Sequence, residues 1–108
     1  MALMSRLKRQ LELGIAKIPG MECRDSKVAG GSALFYGSKE IAHFHSANAI
    51  DIRLTQRIIK DEGLIQPEDS VFHRRSGNSQ WIELRFTRTE HVANILRLAR
   101  RLVDEELE

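Results

Sequence analysis

The chain has one cysteine, little surplus charge and no long apolar run, and each shortage excludes a class of protein. Because Cys23 is the single cysteine among 108 residues, an intrachain disulfide is excluded, and its expected role is that of a small buried side chain. No run approaches the ~18 consecutive apolar residues of a membrane span. With no secretory signal evident, these features predict a soluble, cytoplasmic protein with no membrane contact.

Several sequence motifs of enzymes are also missing. The chain has no nucleophile elbow, phosphate-cradling loop or dinucleotide fingerprint. The glycine pair in Ala29-Gly30-Gly31-Ser32 precedes a strand-like run rather than a helix, so it predicts a hairpin turn. A length of 108 residues is also too short for a TIM barrel of about 250. The formal charge of +2 permits an anionic partner without requiring one.

Apolar residues repeat at helical spacing in two places. The first repeat predicts a helix over 2–18, ended by Pro19-Gly20, on the residues Leu3, Leu7, Leu11, Ile15 and Ile18. The second predicts a helix over 88–103, on the residues Val92, Ile95, Leu96, Ala99, Leu102 and Val103.

Capping residues refine the helix boundaries. Thr87 and Glu90 have the spacing of a capping box at the start of the last helix. Thr55 is expected to cap a short helix over 55–62, and Gly63 fits the position after its end. The acidic tail from Asp104 onward is expected to fray.

The remaining segments predict strands. Four strands lie within 21–54 with no helix-length segment between them, which favours an antiparallel meander. A hairpin is predicted over 71–86. The chain is therefore expected to be one α+β domain over residues 1–108. It should have a mostly antiparallel sheet of about six strands, helices packed on one face, and the other face left to solvent or a ligand.

Alternation along the strands predicts which side chains share that second face. Ala42 and Phe44, like Ile50 and Ile52, must cover the helices, so their neighbours point the opposite way. A one-residue slip in register would reverse the assignment. The side chains expected on the second face are His43, His45, Asp51, Arg53, Trp81, Glu83 and Arg85.

This face has three interpretations. His43 and His45 could chelate zinc or another divalent metal with Asp51, the third ligand being alternatively Glu83 or His73. The two histidines could instead serve as catalytic proton carriers in a site for a small anion. The arginines that would clamp the anion are Arg53, Arg57 and Arg85. The third interpretation is a solvated face of cross-strand charge pairs.

Trp81 and the arginine clusters each have two interpretations. Trp81 either anchors a ligand or partner, or packs over the edge of the sheet near Phe72. The basic clusters are Arg74, Arg75, Arg97, Arg100 and Arg101, and nucleic-acid binding through them is the weakest hypothesis, since no aromatic residues interleave with them. Those in the last helix also suit the dipole at its C-terminal end.

Several stretches of the chain resemble a known family. They are Val28-Ala29-Gly30-Gly31-Ser32, Lys39-Glu40-Ile41-Ala42-His43-Phe44-His45, Ile50-Asp51-Ile52-Arg53-Leu54, Glu62-Gly63-Leu64 and Gln80-Trp81-Ile82-Glu83-Leu84-Arg85-Phe86. In this order they resemble the small luciferase domain family of bacterial and archaeal proteins, over about residues 18–103. The more specific matches are Glu40, His43, His45 and Trp81. The resemblance implies a single α+β domain and does not imply light emission.

Two departures from the family pattern bear on the site. Ala47-Asn48 stands where the family often has a glycine in the turn after the paired histidines. His73 precedes Ser76-Gly77, but three residues separate that pair from Trp81. The role of His73 is therefore left open.

The leading hypothesis is a binding domain whose polar sheet face holds a small ligand or a metal ion. The alternative is a protein interaction or homodimerisation module that uses the same face or an exposed strand edge. No cofactor can be named from the sequence.

Overall fold

The computed structural model describes residues 2–25, 31–71 and 78–107 of the chain. The helices are α1 (Ala2–Ala16), α2 (Gln56–Asp61) and α3 (Thr89–Leu102), and α3 continues into a π-helical turn (Val103–Leu107). The strands are β1 (Met21–Asp25), β2 (Ser32–Tyr36), β3 (Lys39–Ser46), β4 (Ala49–Ile52) and β5 (Ile82–Arg85). The α+β class is confirmed.

The strands form an antiparallel sheet in the order β1-β2-β3-β4-β5, so the predicted meander is confirmed. The described residues contain five strands rather than about six. Val71, where the outer strand of the predicted hairpin begins, lies in a turn, and the rest of that strand falls on 72–77, outside the described residues. Because β5 pairs with β4, the meander continues across the insertion of α2.

One face of the sheet packs on α1 and α3. Leu11 and Ile15 of α1 and Leu98 of α3 are fully buried, and they share one hydrophobic core with Ile50 and Ile52 of β4. Leu11 and Ile15 belong to the apolar repeat from which α1 was predicted, so that stripe does face the sheet. The stripe predicted for the last helix is buried except at Leu96, which is partly buried, and it lacked Leu98. None of the helices in the described segments is long and apolar enough to cross a membrane.

The helix caps differ from the expected ones. Because α3 begins at Thr89, Thr87 lies before the first turn, and its backbone N–H donates to Nδ1 of His91 at 3.0 Å. The predicted capping box is therefore wrong. Thr55 does precede α2, but its hydroxyl donates to Glu106 rather than to the helix. Gly63 has the positive φ of 65° expected after the end of that helix.

Two further expectations are corrected. Cys23 is exposed, because it lies on β1, an edge strand of the sheet, where its Sγ is 3.8 Å from Oε2 of Glu12. The acidic tail is ordered through residue 107, since Glu105 and Glu106 form ion pairs with Arg57 of α2. The positive charge of Arg57 beside the acidic residues stabilises the tail against fraying.

Candidate functional site

The strand register places three polar residues in one row across the sheet. His43 of β3 lies opposite Asp51 of β4, and Asp51 lies opposite Glu83 of β5. Side chains of directly opposed residues lie on the same face of a sheet. Since the neighbouring Ala42, Ile52 and Ile82 face the core, this polar row occupies the opposite face, as the alternation of the sequence predicts.

The polar row is not open to solvent along its whole length. Asp51 is 1% exposed and Glu83 is 2% exposed. The segment after α2 covers Glu83, since Gln66 accepts a hydrogen bond from its backbone N–H at 3.0 Å and Ser70 donates to its carboxylate. At these two positions the second face is closed to solvent.

Both carboxylate oxygens of Glu83 accept hydrogen bonds. Ser70 donates to Oε1, and Arg85 donates to Oε2 at 2.9 Å. Burial alone raises the pKa of Glu83, but the hydrogen bonds from Ser70 and Arg85 outweigh it and hold that pKa below its ordinary value. Arg85 also pairs with Asp69 at 2.8 Å, so one guanidinium ties the covering segment to β5.

His43 lies between two carboxylates. Its Nδ1 is 3.4 Å from Oε2 of Glu40, and its Nε2 is 3.6 Å from Oδ2 of Asp51. The first contact lacks the geometry of a hydrogen bond, so Nδ1 is buried without a hydrogen-bond partner among the described residues. The imidazole as a whole keeps 18% exposure, which leaves part of its edge open to a ligand.

Trp81 lies against the histidine. The two ring centroids are 5.6 Å apart and the planes are inclined by 38°. The indole is half-buried, and the backbone N–H of Trp81 donates to Ser79 Oγ at 3.1 Å. The alternative packing partner, Phe72, lies outside the described residues. Alternation predicted that both residues share the second face, but it did not predict that their rings touch, because they are 38 positions apart.

His45 is less buried than His43, and its charge acts on Glu83, whose pKa it helps to lower. It lies at an irregularity of the β3–β4 pairing, where the register shifts between Phe44 and Ser46, and it is exposed. Across the described segments, no three His, Cys, Asp or Glu side chains are arranged to hold a metal ion. The set of His43, His45 and Asp51 thus gains no support as a metal site, and His73 lies outside the described residues.

Arg53 and Arg57 belong to a different feature. They line a depression of about 450 Å³ together with Lys39, Thr55 and Gln56, and the remaining lining residues are Gln80, Glu106 and Leu107. Neither His43 nor Trp81 lines it. The structure therefore divides the predicted ligand-binding residues between the polar row and this depression.

The arginines of α3 have intramolecular partners. Arg97 donates to both carboxylate oxygens of Glu62 at 2.9 Å, and Arg101 donates to Glu62, Asp61 and Glu105. These pairs engage two of the guanidinium groups on which the nucleic-acid hypothesis rests. Arg100 is exposed, while Arg74 and Arg75 lie outside the described residues.

Sequence reasoning missed the residues that cover Glu83. Gln66, Asp69 and Ser70 lie in a loop whose pattern carries no periodic signal, and they reach the site because the loop folds over β5. Lys39 was missed as a lining residue of the depression. Glu40 was found only through the family resemblance, since alternation within β3 does not mark it as a partner of His43.

Comparison with known proteins gives one family. The model of the family described as Luciferase domain matches residues 38–101. This range holds the polar row, Trp81 and the covering loop, and it extends into the last turn of α3. No curated protein matches the chain, and no solved structure matches it.

Proposed function

Because this chain belongs to the luciferase domain family, whose matched segment carries the polar row, we propose that the row binds a small ligand beside Trp81. The ligand is a planar molecule with a hydrogen-bond acceptor or an exchangeable proton. His43 contacts it directly, and Trp81 provides an apolar surface against which it stacks. Asp51, whose Oδ2 is 3.6 Å from Nε2 of His43, orients the imidazole, and Glu83 lies next to Asp51 in the row.

The observation that carries this proposal is the state of the His43 imidazole. Its Nδ1 is buried and makes no hydrogen bond with a described residue. A buried polar atom without a partner costs about 1–3 kcal/mol, so such atoms are rare in folded proteins and need an explanation. Because Nδ1 itself is buried, a ligand meets the exposed part of the ring, and its binding removes the cost by drawing Nδ1 into a hydrogen bond with the Glu40 carboxylate 3.4 Å away.

Two carboxylates place negative charge beside both nitrogens of the His43 imidazole. Each ring nitrogen lies within 4 Å of a carboxylate oxygen, from Glu40 on one side and Asp51 on the other. A proton on either nitrogen therefore faces negative charge. Histidine is the side chain best suited to exchanging a proton near neutral pH. His43 is thus placed to act as a general acid or base toward a bound ligand.

The covering loop, residues 66–70, keeps Glu83 at a fixed position on the buried side of this site. Glu83 is held by Ser70 and Arg85, and Arg85 is held in turn by Asp69. Such bonds between strand and loop preorganise a site, because the contacting side chains rest on residues that cannot easily move. Glu83 and Ser70 are therefore positioning residues in this proposal.

Trp81 is the single tryptophan of the chain, so its emission tests the proposal directly. We would titrate the protein with nicotinamide, adenosine and indole as planar probes and record the intrinsic fluorescence. At least one probe should change the emission saturably. His43→Gln should weaken its binding about tenfold, the expected effect of losing one hydrogen bond to a charged or polar group.

Two further variants keep this test informative. His91→Gln changes a histidine of α3 that contacts Thr87 rather than the polar row, and it should bind the probe as the wild type does. Glu40→Gln changes the charge beside Nδ1 without removing the imidazole, and it should alter the pH dependence of binding. Equal affinity in the wild type, His43→Gln and Glu40→Gln would overturn the proposal.

A second candidate is self-association. Ile65 and Val71 are exposed by 85% and 69%, and they flank the loop that covers Glu83. Burial of these two apolar side chains against a second copy would remove them from water, which favours association. Sedimentation velocity at increasing concentration tests this: Ile65→Ser should abolish a dimer seen in the wild type. A wild-type monomer at the highest concentration rules it out.

A further inference from the structure

The depression near Arg57 has a composition unlike that of the polar row. It lies where β3 begins and β4 has just ended, since the backbone N–H of Arg53 donates to the Ile41 carbonyl at 2.8 Å. Its walls carry three cationic side chains, Lys39, Arg53 and Arg57, and one carboxylate. Its volume of about 450 Å³ lies within the range of small-molecule sites.

Two of the cations are available to a ligand. The side chains of Lys39 and Arg53 make no ion pair or hydrogen bond with any residue that the structure describes. Three like charges around one concave surface repel each other and raise the local concentration of anions. The depression therefore favours a negatively charged group.

The contacts of Arg57, the third cation, show where an anionic group would bind. Oε1 of Glu106 accepts a hydrogen bond from Thr55 Oγ1 at 3.1 Å and another from Arg57 Nε at 3.3 Å. The carboxylate of Glu106 thus occupies a set of converging donors at the wall of the depression. It is an internal anion in the position that a ligand anion would take.

The backbone conformation of Thr55 also supports an anion site at this position. Thr55 has φ 76° and ψ 151°, a region that only glycine adopts without strain. Residues held in such conformations cluster at binding sites, where surrounding structure enforces them. Here the strained conformation accompanies a hydroxyl that donates to Glu106.

We propose that this depression binds the phosphate group of a small molecule, which displaces the Glu106 carboxylate from Thr55 and Arg57. A phosphate dianion offers more acceptor oxygens than a carboxylate, so it can bond to Arg57 and Thr55 and also to Arg53 and Lys39. Glu106 then acts as an intramolecular competitor, while Glu105 keeps its ion pair with Arg101 and Val103 stays buried, so that the π-helical turn remains in place when the ligand binds. This site is independent of the polar row.

Isothermal titration with inorganic phosphate at constant ionic strength tests the proposal. Arg53→Gln and Lys39→Gln should each weaken binding about tenfold, the loss expected for one charge-assisted hydrogen bond. Glu106→Gln should strengthen binding severalfold, because it removes the competing charge. His43→Gln should leave phosphate binding unchanged, which separates this proposal from the function assigned to the polar row.

Arg100→Gln is the matched control. Arg100 is exposed on α3 and does not line the depression, yet its loss changes the net charge by the same amount as Arg53→Gln. It should alter phosphate affinity less than twofold. An equal loss in Arg100→Gln and Arg53→Gln would mean binding by net charge alone. That result, or the absence of measurable binding in both the wild type and Glu106→Gln, overturns the proposal.

Discussion

Arg101 and Glu62 connect the last turn of α3 to the residue that follows α2, with 2.8 Å between Nη1 and Oε2. Arg97, one helical turn earlier, bonds to both oxygens of the same carboxylate. The hydrogen bonds from Arg97 and Arg101 lower the pKa of Glu62 from 4.5 to about 2. The carboxylate of Glu62 thus binds two guanidinium groups of α3 at the end of α2.

Glu62→Gln should reduce the loss of unfolding free energy that the protein suffers as the pH falls from about 4.3 to 2. Because the folded-state pKa lies below the unfolded value, the ionised carboxylate stabilises the fold above about pH 4.3. That contribution is lost as the pH falls toward 2 through the folded-state pKa of about 2. The variant should be less stable at pH 7 and approach the wild type near pH 2. Urea unfolding at pH 7, 4 and 2.5 measures the difference.

Glu68→Gln provides the control for this measurement. Glu68 is exposed and makes no ion pair with a described residue, so its replacement should leave the pH dependence of the unfolding free energy unchanged. Other acidic groups contribute equally to the wild type and Glu62→Gln, and their effects cancel in the difference. The prediction would be contradicted if the unfolding free energies of the wild type and Glu62→Gln differed by the same amount at all three pH values.

Ser70→Ala should destabilise the fold by about 1–3 kcal/mol. The substitution removes the donor to Oε1 of Glu83 and leaves a carboxylate that is 2% exposed with one bond fewer. It should also raise the pKa of Glu83. Chemical denaturation measures the first effect. Ser38→Ala, in the exposed turn between β2 and β3, should change stability by less than about 0.5 kcal/mol. Equal effects of both substitutions would refute the bonded role of Ser70.

Gly20→Ala should destabilise the fold more than Gly37→Ala. Both glycines have positive φ, 91° and 64°, so both substitutions carry a backbone cost of about 1 kcal/mol. A Cβ at position 20 would also lie 2.5 Å from Cε1 of Tyr36, whereas one at position 37 would meet nothing within 4 Å. The difference in unfolding free energy isolates the clash with Tyr36. A larger loss in Gly37→Ala would contradict this account.

Thr55→Gly should be more stable than Thr55→Ala by about 1 kcal/mol, the order expected for a released backbone strain. Both variants lose the hydrogen bond to Glu106, but only glycine relieves the φ of 76°. In an ordinary helix the ranking is reversed, since glycine is less stable there than alanine. Thermal denaturation of the two variants distinguishes the cases. The ordinary ranking would show that position 55 is unstrained.

Much of the fold could be predicted from the sequence because its determinants are local. The apolar stripe containing Leu11 and Ile15 marks α1, and alternation of Ala42 and Phe44 with their neighbours marks the core face of β3. The same alternation placed His43, Asp51 and Glu83 on the second face. The predicted side-chain caps at the helix N-termini were wrong, since such a cap depends on which nearby donor or acceptor reaches the backbone, as His91 does for Thr87.

The two faces of the sheet are thus determined by the sequence itself, through the two-residue period of side chains along each strand. The short connections between the first four strands likewise determine their antiparallel order. Only the tertiary structure decides what covers the second face and which charges meet. Ser70 reaches Glu83 from 13 residues away, and Thr55 reaches Glu106 from 51 residues away. No local pattern encodes such pairs, because they arise when loops and chain ends are packed against a sheet that has already set their positions.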